Sequence, residues 1–387
     1  MGKTVFITAG ERSGDAYGAL LASALRRHLG DDVCLRGVGS DQMAAAGVEL
    51  IGDISPLAAI GGIEAFRSSV GRLISLARLS RRITREIPRT DAAVLIDCPG
   101  LNLAVMKRMR KAGVPVVYFV PPHAWAWGDY QGRAIARWGA VVASTMDVDD
   151  AYYRRKGCVV ERVGHPLLDV IADRGGSGPD PGPDPEPHVL LLPGSRGHEV
   201  AAHTPVLISA ATAIRAARPD VAFSLSSAGP RYDALVQQAC REASFPVEFV
   251  SGLDYQRARR AAAVLCACGT VTLEIALLGV PLVVLYKLRH TVDRLLFEAF
   301  NKTPFFSLPN IILQEGRVPE IYLNQVGDGP IAAHALELLN DPEARPRAQV
   351  LREQLWAKLG GPGATEAVAQ MVVRELESTR GQTPSGR

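Results

Sequence analysis

Each half of the chain opens with the same succession of elements: an apolar run, a loop that contains glycine, and a helix-forming segment. In the first half, residues 5–8 precede the loop 9–15, and in the second half residues 189–192 precede the loop 193–197. A strand, a glycine loop and a helix begin a doubly wound parallel sheet, which binds ligands at the carboxyl ends of its strands. The repeat therefore predicts an α/β chain with two Rossmann-like doubly wound parallel-sheet domains.

A segment rich in proline and glycine, residues 175–187, separates the two halves. Such a segment joins neither a helix nor a central strand, so we interpret it as an interdomain linker. The length of 387 residues also suits two cores better than one. The predicted boundaries are 1–172 for the first domain, 173–187 for the linker, 188–340 for the second domain, 341–377 for C-terminal helices that cross back or are exchanged in a dimer, and 378–387 for a disordered tail.

The composition points to a soluble, cytoplasmic protein. A formal net charge of +3 is too small for a surface that neutralises many phosphates, so we expect no nucleic-acid partner. The first residues run directly into a predicted strand without a secretory pattern, and the six cysteines form no Cys-x-x-Cys pair. Residues 261–286 carry one charge, Glu274, but glycine and proline divide them into strand, helix and strand, each too short to cross a bilayer.

Two turns from strand to helix in the second half are candidates for phosphate binding. Ser195 and Arg196 follow the first strand directly, where a helix N-terminus attracts anions and the guanidinium offers a planar fork to phosphate oxygens. Gly269 and Thr270 follow a later strand, and Glu274 is placed to accept hydrogen bonds from ribose hydroxyls. The alternatives are an ordinary tight turn for the first loop and a helix cap with a solvated glutamate for the second.

Asp97 stands where the buried run 92–96 ends, and a proline turn follows it. A carboxylate at that edge is positioned to take a proton from an attacking hydroxyl, although capping a turn is a common role for such an aspartate. Glu11 and Asp15, in the first glycine loop, pose the same question, and Asp15 is also a candidate cap for the helix that follows.

No pattern in the sequence predicts a metal site. His198 and His203 are one residue too far apart for the zinc helix pattern, in which both histidines share a face. Asp147 and Asp149 have the spacing of a divalent-ion pair but follow a strand without other obvious ligands. We therefore expect neither a metal nor another cofactor, and the sequence leaves the role of these two aspartates open.

Residues 63–87 form a predicted amphipathic helix whose apolar stripe, with Leu79 and Ile83, is wider than core packing needs. Between residues 63 and 89, seven arginines stand against two glutamates, a local net charge of +5. Contact with an anionic membrane surface or with an acylated, phosphorylated ligand fits this pattern. A helix packed between the sheet and a partner subunit, with its arginines outward, also fits, and the pattern alone slightly favours this second interpretation.

Further short segments complete a series that resembles the lipid-A-disaccharide synthase family from about residue 5 to about residue 325. The matching segments are 9–15, 37–39, 60–64, 97–99, 125–127, 163–167, 192–196, 269–274, 307–310 and 318–320. Each segment is weak by itself, but their order and spacing along one chain are highly specific.

The resemblance implies a fold of the GT-B type, with a cleft between an acceptor-binding first domain and a second domain that binds the UDP-sugar. It implies an inverting glycosyltransferase of lipid A biosynthesis, which joins UDP-2,3-diacylglucosamine to 2,3-diacylglucosamine 1-phosphate. The products would be a β-1,6-linked disaccharide phosphate and UDP, formed without a metal.

The resemblance also implies roles for single residues. The residue matching Asp97 is the family's candidate general base. The residues matching Arg196, Glu274 and Asn310 lie around UDP in the family. With Ser195, Gly269 and Thr270 of the two phosphate-binding turns, they make up the predicted UDP site. The candidates for contact with the acceptor or the donor sugar are Glu11, Ser13, Asp15, Trp127, Glu320 and Gln325.

Two partners beyond the substrates follow from the same resemblance. The family is peripheral on the inner face of the cytoplasmic membrane, which shifts the interpretation of the helix over 63–83 toward the membrane. The candidate membrane contacts are Phe66, Val70, Leu73 and Leu76. Family dimers exchange their C-terminal segments, so we expect a homodimer.

The chain departs from the family pattern mainly in the first domain. Leu101 replaces the usual aromatic residue before the asparagine, and Cys268 replaces a serine before the Gly-Thr turn. Residues 121–124 read Pro-Pro-His-Ala instead of Ser-Pro-Ser-Val, and residues 147–149 read Asp-Val-Asp instead of Pro-Phe-Glu. The acceptor and its acyl-chain length are therefore less determined than the donor nucleotide.

Other functions fit parts of this pattern. They are a UDP-sugar transferase with a different lipid or cell-wall acceptor, a UDP-N-acetylglucosamine 2-epimerase-like enzyme, and a non-catalytic nucleotide-sugar binding protein. The paired Trp125 and Trp127 and the basic helix argue against the epimerase, since a small soluble substrate needs neither. The presence of Asp97, a candidate general base, argues against a non-catalytic nucleotide-sugar binding protein.

Overall fold

The computed structural model describes residues 2–53, 69–127, 129–287, 304–323 and 329–380. Of these, residues 69–76, 126–127 and 379–380 are described by their backbone alone. The chain divides into two compact units, one formed by Met1–Val170 with Leu359–Arg387 and the other by Ile171–Lys358. Each unit is built on a parallel sheet.

Apolar runs that are buried on both faces form the central strands of the first unit. Its elements, up to the helix that leads into the second unit, are β1 (Thr4–Ala9), α1 (Arg12–Leu29), β2 (Cys34–Gly39), α2 (Asp41–Ala45), β3 (Glu49–Asp53), α3 (Ser69–Glu86), β4 (Ala92–Ile96), α4 (Pro99–Lys111), β5 (Val116–Phe119), α5 (Ala124–Trp127), α6 (Asp129–Trp138), β6 (Val141–Ser144), α7 (Asp147–Arg155), β7 (Val160–Arg162) and α8 (Leu167–Asp173).

Within the described residues, seven strands form the parallel sheet of the first unit in the order β3-β2-β1-β4-β5-β6-β7. The register pairs Ile7 of β1 with Val94 of β4, and Ile96 of β4 with Phe119 of β5. The order of the strands reverses between β1 and β4, and sheets of this kind bind ligands at the carboxyl ends beside that point. Residues 97–98 and 120–123 lie at this edge.

The C-terminal part of α3 packs against the sheet. Leu79 and Ile83 are 9% and 0% exposed and belong to the core of the first unit, whereas Arg78, Arg81 and Arg85 are exposed. Leu79 and Ile83 therefore face the core of the first unit, and the width of the whole apolar stripe stays a prediction. Phe66 and the side chains of Val70, Leu73 and Leu76 lie outside the described residues.

The second unit repeats the design of the first. Its elements are β8 (His188–Leu192), α9 (Gly197–Ala217), β9 (Ala222–Ser227), α10 (Pro230–Glu242), β10 (Glu248–Ser251), α11 (Tyr255–Arg260), β11 (Ala263–Ala267), α12 (Thr270–Leu278), β12 (Leu282–Tyr286), α13 (Leu308–Leu313), β13 (Glu320–Tyr322), α14 (Gly329–Asn340) and α15 (Ala344–Leu359).

In the described part of this unit, six parallel strands follow the order β10-β9-β8-β11-β12-β13, with the same reversal beside its first strand. Helix α9 is long and apolar enough to cross a membrane by composition, but Val200, Leu207 and Ile214 pack into the core. Residues 261–286 fold as β11, α12 and β12, so the prediction of strand, helix and strand is confirmed.

Residues 175–187 form neither helix nor strand and are tied to the second unit. Arg345 forms an ion pair with Asp180, and the guanidinium of Arg259 donates a 2.7 Å hydrogen bond to the carbonyl of Gly178. The proline-rich segment is therefore held along its own unit by two arginines.

The last described helix, α16 (Ala364–Arg380), belongs to the first unit, where it contacts α1, β4 and β5. It runs through residues 378–380, which the sequence predicts as the start of a disordered tail. That prediction came from the position of the segment at the chain terminus, where residues are poorly ordered unless they are tied down. Residues 381–387 lie outside the described part of the chain.

Candidate functional site

Asp97 occupies a strained turn at the carboxyl end of β4. Its φ is +48° and that of Cys98 is +42°, so two consecutive residues other than glycine adopt the left-handed conformation. At the end of the neighbouring β5, the β-branched Val120 has a φ of +54°. Such a residue costs about 1–3 kcal/mol and persists only where its surroundings hold it, which is typical of functional sites.

A buried polar network holds the Asp97 turn. The side-chain amide of Asn102, 0% exposed, donates to the carbonyls of Ile96 at 2.9 Å and Asp97 at 2.8 Å. The Tyr118 hydroxyl donates to the same Asp97 carbonyl at 2.9 Å, and Thr8 donates at 2.6 Å to the Asn102 side-chain oxygen. The sequence did not predict that Asn102 and Tyr118 hold the Asp97 turn, although Asn102 lies only five residues after Asp97.

Cys98 packs the Asp97 turn closely against the first glycine loop. A Cβ atom at Gly10 would lie 2.1 Å from the Cys98 Sγ, so only glycine fits there. Burial, together with the nearby charges of Asp97 and Glu11, raises the pKa of the Cys98 thiol to about 11. The thiol is therefore protonated at neutral pH, and Glu11 lies near Asp97 at this edge.

The other candidates of the first loop take different places. Asp15 is 2% exposed and accepts backbone N–H bonds from Ser40 at 2.6 Å and Gln42 at 3.0 Å. It caps α2 instead of the helix in which it lies, and its carboxylate is engaged there. Ser13 is half-buried in the first turn of α1, and the side chain of Trp127 lies outside the described residues.

Asp149 gathers a histidine and a tryptophan that the sequence did not single out as site residues. Its Oδ1 lies 3.2 Å from Nδ1 of His123 and accepts a 3.0 Å hydrogen bond from Nε1 of Trp125. Asp147, by contrast, is exposed and forms an ion pair with Arg162. The two aspartates therefore point to different partners and do not converge on one ion site.

His165 lies at the same end of the first unit and stays neutral. Its ring is 8% exposed, packs edge-on against Tyr17, and accepts a 3.2 Å hydrogen bond from the Leu167 amide at Nδ1. Burial, with the nearby charges of His123 and Arg162, lowers the pKa of His165 to about 3.

In the second unit, the loop between β8 and α9 forms an anion cradle. The backbone amides of Ser195 and Arg196 donate to Glu199 Oε2 at 3.2 and 3.3 Å, and the Arg196 guanidinium contacts Oε1 at 2.9 Å. Gly194 has a φ of +115°, and a Cβ there would lie 2.8 Å from the Glu199 carboxylate. The loop thus binds an internal carboxylate with the groups that the sequence predicts for phosphate.

His203 fixes the start of this loop. Its Nδ1 donates to the Pro193 carbonyl at 2.9 Å, and the residue is 1% exposed. From the sequence alone, His203 is considered only as a candidate metal ligand. Because His203 lies ten residues after Pro193, no local sequence pattern predicts this contact.

The second predicted turn lies at the end of β11. Gly269 precedes α12, and a Cβ atom there would meet nothing within 4 Å, so the approach to the helix N-terminus is open. Burial raises the pKa of the preceding Cys268 to about 12, and its Sγ donates to the Phe306 carbonyl at 3.1 Å. Glu274, one turn into α12, lies beside Tyr255 and is half-buried.

Asn310 and Glu320 form a closed network. The amide of Asn310 donates to the Val318 carbonyl and to Glu320 Oε1, and its oxygen accepts from the amides of Arg317 and Val318. All four hydrogen-bonding groups of this side chain are therefore used within the chain. Glu320 also accepts from the backbone amides of Phe306 and Ser307. Both predicted ligand residues therefore hold the segment 306–320 together.

These pieces meet at one edge of the second sheet. The charges of Glu320, Glu199 and Arg196 all act on the Cys268 thiol, which places the ends of β8 and β11 and the start of β13 around it. Gln325 lies outside the described residues. In the part of the chain that the structure describes, no three His, Cys, Asp or Glu side chains are grouped to hold a metal ion.

Comparison with known proteins shows which family the chain is similar to. The family model described as lipid-A-disaccharide synthetase matches residues 5–373. A lipid-A-disaccharide synthase from Syntrophus aciditrophicus is 33% identical over 388 residues, covering 97% of this chain and 99% of the relative.

Solved structures share the fold. The UDP-GlcNAc 2-epimerase from Neisseria meningitidis bound to UDP-GlcNAc has a TM-score of 0.64 at 11% identity, covering 96% of this chain and 100% of that one. The calicheamicin glycosyltransferase CalG4 has a TM-score of 0.57 at 14% identity, covering 98% and 99%. The prediction of two Rossmann-like domains of the GT-B type is thus confirmed, and at such low identity these two likenesses bear on the fold alone. The match over residues 5–373 goes further than the fold: the chain belongs to the lipid-A-disaccharide synthetase family.

Proposed function

We propose that the protein is an inverting glycosyltransferase that joins UDP-2,3-diacylglucosamine to 2,3-diacylglucosamine 1-phosphate. The family match over residues 5–373 supports the donor and the acceptor, and the Asp97 turn supports the chemistry, because a carboxylate follows β4 in a strained conformation that Asn102 and Tyr118 hold. A protein that only binds nucleotide-sugars has no need to maintain such a turn at the sheet edge.

The second unit is the donor side of the reaction. The amides of Ser195 and Arg196 and the Arg196 guanidinium, which hold Glu199 in this structure, present donors of the kind that a diphosphate requires. Thr270, at the N-terminus of α12, adds a second helix start. We assign Glu274 to the ribose hydroxyls, with Tyr255 beside it, and give Asn310 and Glu320 the role of shaping the segment next to the nucleotide.

The first unit supplies the base. The Asp97 carboxylate takes the proton of the acceptor hydroxyl while the hydroxyl oxygen forms its bond to the anomeric carbon of the donor. The bond from that carbon to the phosphate oxygen breaks, and UDP leaves with the electron pair. Donors around the phosphates stabilise the charge that develops there. Glu11, Ser13 and Trp127 remain candidates for contact with the sugars, whereas Asp15 is engaged by α2.

We further propose that the protein works at the inner face of the cytoplasmic membrane as a homodimer. The exposed Arg78, Arg81 and Arg85 of α3 support an anionic surface as partner. The candidate apolar contacts are Phe66, Val70, Leu73 and Leu76. Exchange of C-terminal segments is supported by the glycine-containing stretch 360–363, which leads from α15 of the second unit to α16 of the first.

The proposed reaction is tested by incubating the purified protein with both lipid substrates in the presence of a chelator. UDP release and lipid mass are followed together. The proposal expects a disaccharide phosphate in an amount equal to the UDP released. UDP binding without any disaccharide would contradict the proposed acceptor and leave the donor assignment standing.

A further inference from the structure

The structure brings together two residues that the proposed reaction has not used. His123 and Asp149 lie 3.2 Å apart between Nδ1 and Oδ1. They are 26 residues apart in sequence, and each follows a strand of the first sheet, His123 after β5 and Asp149 after β6.

Asp149 is buried for this contact. Its side chain is 0% exposed, while that of His123 is 27% exposed, so the carboxylate lies inside and the imidazole reaches the surface of the site. Trp125 shares Oδ1, and the buried Oδ2 has no hydrogen-bond partner in the described part of the chain. A buried carboxylate with so few partners depends on the histidine for compensation.

The backbone on both sides of His123 is also held. The Tyr153 hydroxyl donates to the Pro122 carbonyl at 2.6 Å, and the amide of Ala124 donates to the same carbonyl at 2.7 Å. Because an ionised carboxylate only accepts hydrogen bonds, Nδ1 of His123 carries a hydrogen. A neutral ring therefore has its lone pair on Nε2, the nitrogen away from Asp149.

Asp97 and His123 follow adjacent strands. Ile96 pairs with Phe119 in the register, and the Asp97 amide donates to the Phe119 carbonyl at 2.9 Å, so both residues belong to one edge of the sheet. The electrostatic influence of Asp97 reaches the imidazole, which agrees with this placement.

We propose that His123 accepts the proton from Asp97 during the transfer. His123 is held by Asp149, which Trp125 holds in turn. This inference rests on the proposed function. The proton of the acceptor hydroxyl passes to the Asp97 carboxylate and from there to Nε2 of His123, so that Asp97 is again a carboxylate when UDP has left. The imidazolium releases the proton to water before the next turnover. Asp149 and Trp125 are positioning residues in this scheme.

The groups that face the ring set the pH at which it works. Burial lowers the pKa of His123, but the hydrogen bond and charge of Asp149, together with the charge of Asp97, outweigh it and raise this pKa above its usual value. The neighbouring His165 is neutral, because its pKa is lowered to about 3. Neutral His123 is the proton-accepting form, so turnover should rise with pH through a pKa above about 6.5.

The first test measures the histidine directly in the whole protein, without substrate. Protein with carbon-13-labelled histidine is titrated by NMR, and the His123 signal is identified by its loss in His123→Ser. The inference expects a pKa above about 6.5 that falls in Asp149→Asn and, by a separate cause, in Asp97→Asn. A His123 pKa that neither substitution moves would overturn the pairing, whatever reaction the protein catalyses.

The second test compares pH profiles of kcat. Wild type should show the ionisation that NMR finds, and His123→Ser should lose it, with kcat lower by at least roughly tenfold at pH 7.5 and each KM within about threefold. Denaturant unfolding with the wild-type midpoint shows that the variant is folded.

A higher KM for the acceptor with unchanged kcat would contradict the inference, since that pattern belongs to a residue that only binds substrate. Equal pH profiles for wild type and His123→Ser would also overturn it. If wild type forms no disaccharide at all, the proposed function fails, and the NMR titration alone decides whether His123, Asp149 and Asp97 are coupled.

Discussion

Single residues at the carboxyl edge of the first sheet are held by partners distant in sequence. Asn102 reads as an ordinary helix residue, yet its buried amide fixes the Asp97 carbonyl, and Thr8 of another strand binds it in turn. The place of Asp97 after a buried run could be predicted, because the end of a strand is visible in the local sequence. The residues that hold Asp97 could not be predicted, because contacts between different strands do not affect the spacing of residues within one segment.

At the same scale, His165 makes stability depend on pH. The folded state keeps the pKa of this histidine near 3, whereas an unfolded chain titrates near 6.5, so stability is lost as pH falls through this range. Between pH 7 and pH 5, wild type should lose up to about 2 kcal/mol more unfolding free energy than His165→Gln. Urea unfolding at both pH values measures this difference, and parallel losses in the two proteins would refute the assignment.

At the scale of elements, the loop from β8 to α9 could be predicted from the sequence. That the Glu199 carboxylate of the same chain binds in this loop could not be predicted. A strand followed by Gly-Ser-Arg and a helix predicts a cradle for anions. Glu199 lies three residues beyond Arg196, where a helix-capping glutamate is common, so its position gives no sign that it fills the cradle itself. The closed network of Asn310 and Glu320 escaped prediction for a similar reason, since the spacing of two residues does not show whether they bind each other or a ligand.

Arg196→Ala should weaken UDP binding by about tenfold or more, because a hydrogen bond between charged groups contributes about 1.5–3 kcal/mol. Calorimetric titration with UDP measures the dissociation constant. Arg241→Ala, an exposed arginine on α10, is the matched control and should bind UDP as wild type does. Equal affinity of Arg196→Ala and the control would move the phosphate site away from this loop.

At the scale of the whole molecule, the repeated opening predicts both sheets, since continuous apolar runs after each glycine loop describe parallel strands covered on two faces. The return of the chain from the second unit to the first at Leu359 depends on contacts that the sequence does not display. Asp169 of α8 makes this return specific: it accepts backbone bonds from Gly363 at 2.5 Å and Thr365 at 2.7 Å, and a third from the Thr365 hydroxyl.

Asp169→Ala should therefore lower the unfolding free energy by about 1–3 kcal/mol, because it leaves buried donors at the start of α16 without an acceptor. Asp173→Ala, an exposed aspartate of the same helix, is the control and should change stability by less than about 0.5 kcal/mol. Denaturant unfolding of the two variants provides the comparison. A loss no larger than that of the control would mean that α16 is held by its apolar contacts alone.

The central claim is that Asp97 is the base of the proposed transfer, and Asp97→Asn tests it most directly. Turnover by UDP release and UDP affinity by calorimetry are measured on the same protein preparation. The account predicts a fall in turnover of roughly two to four orders of magnitude with nearly unchanged UDP affinity. Turnover at the wild-type level would contradict it and remove Asp97 from the chemistry.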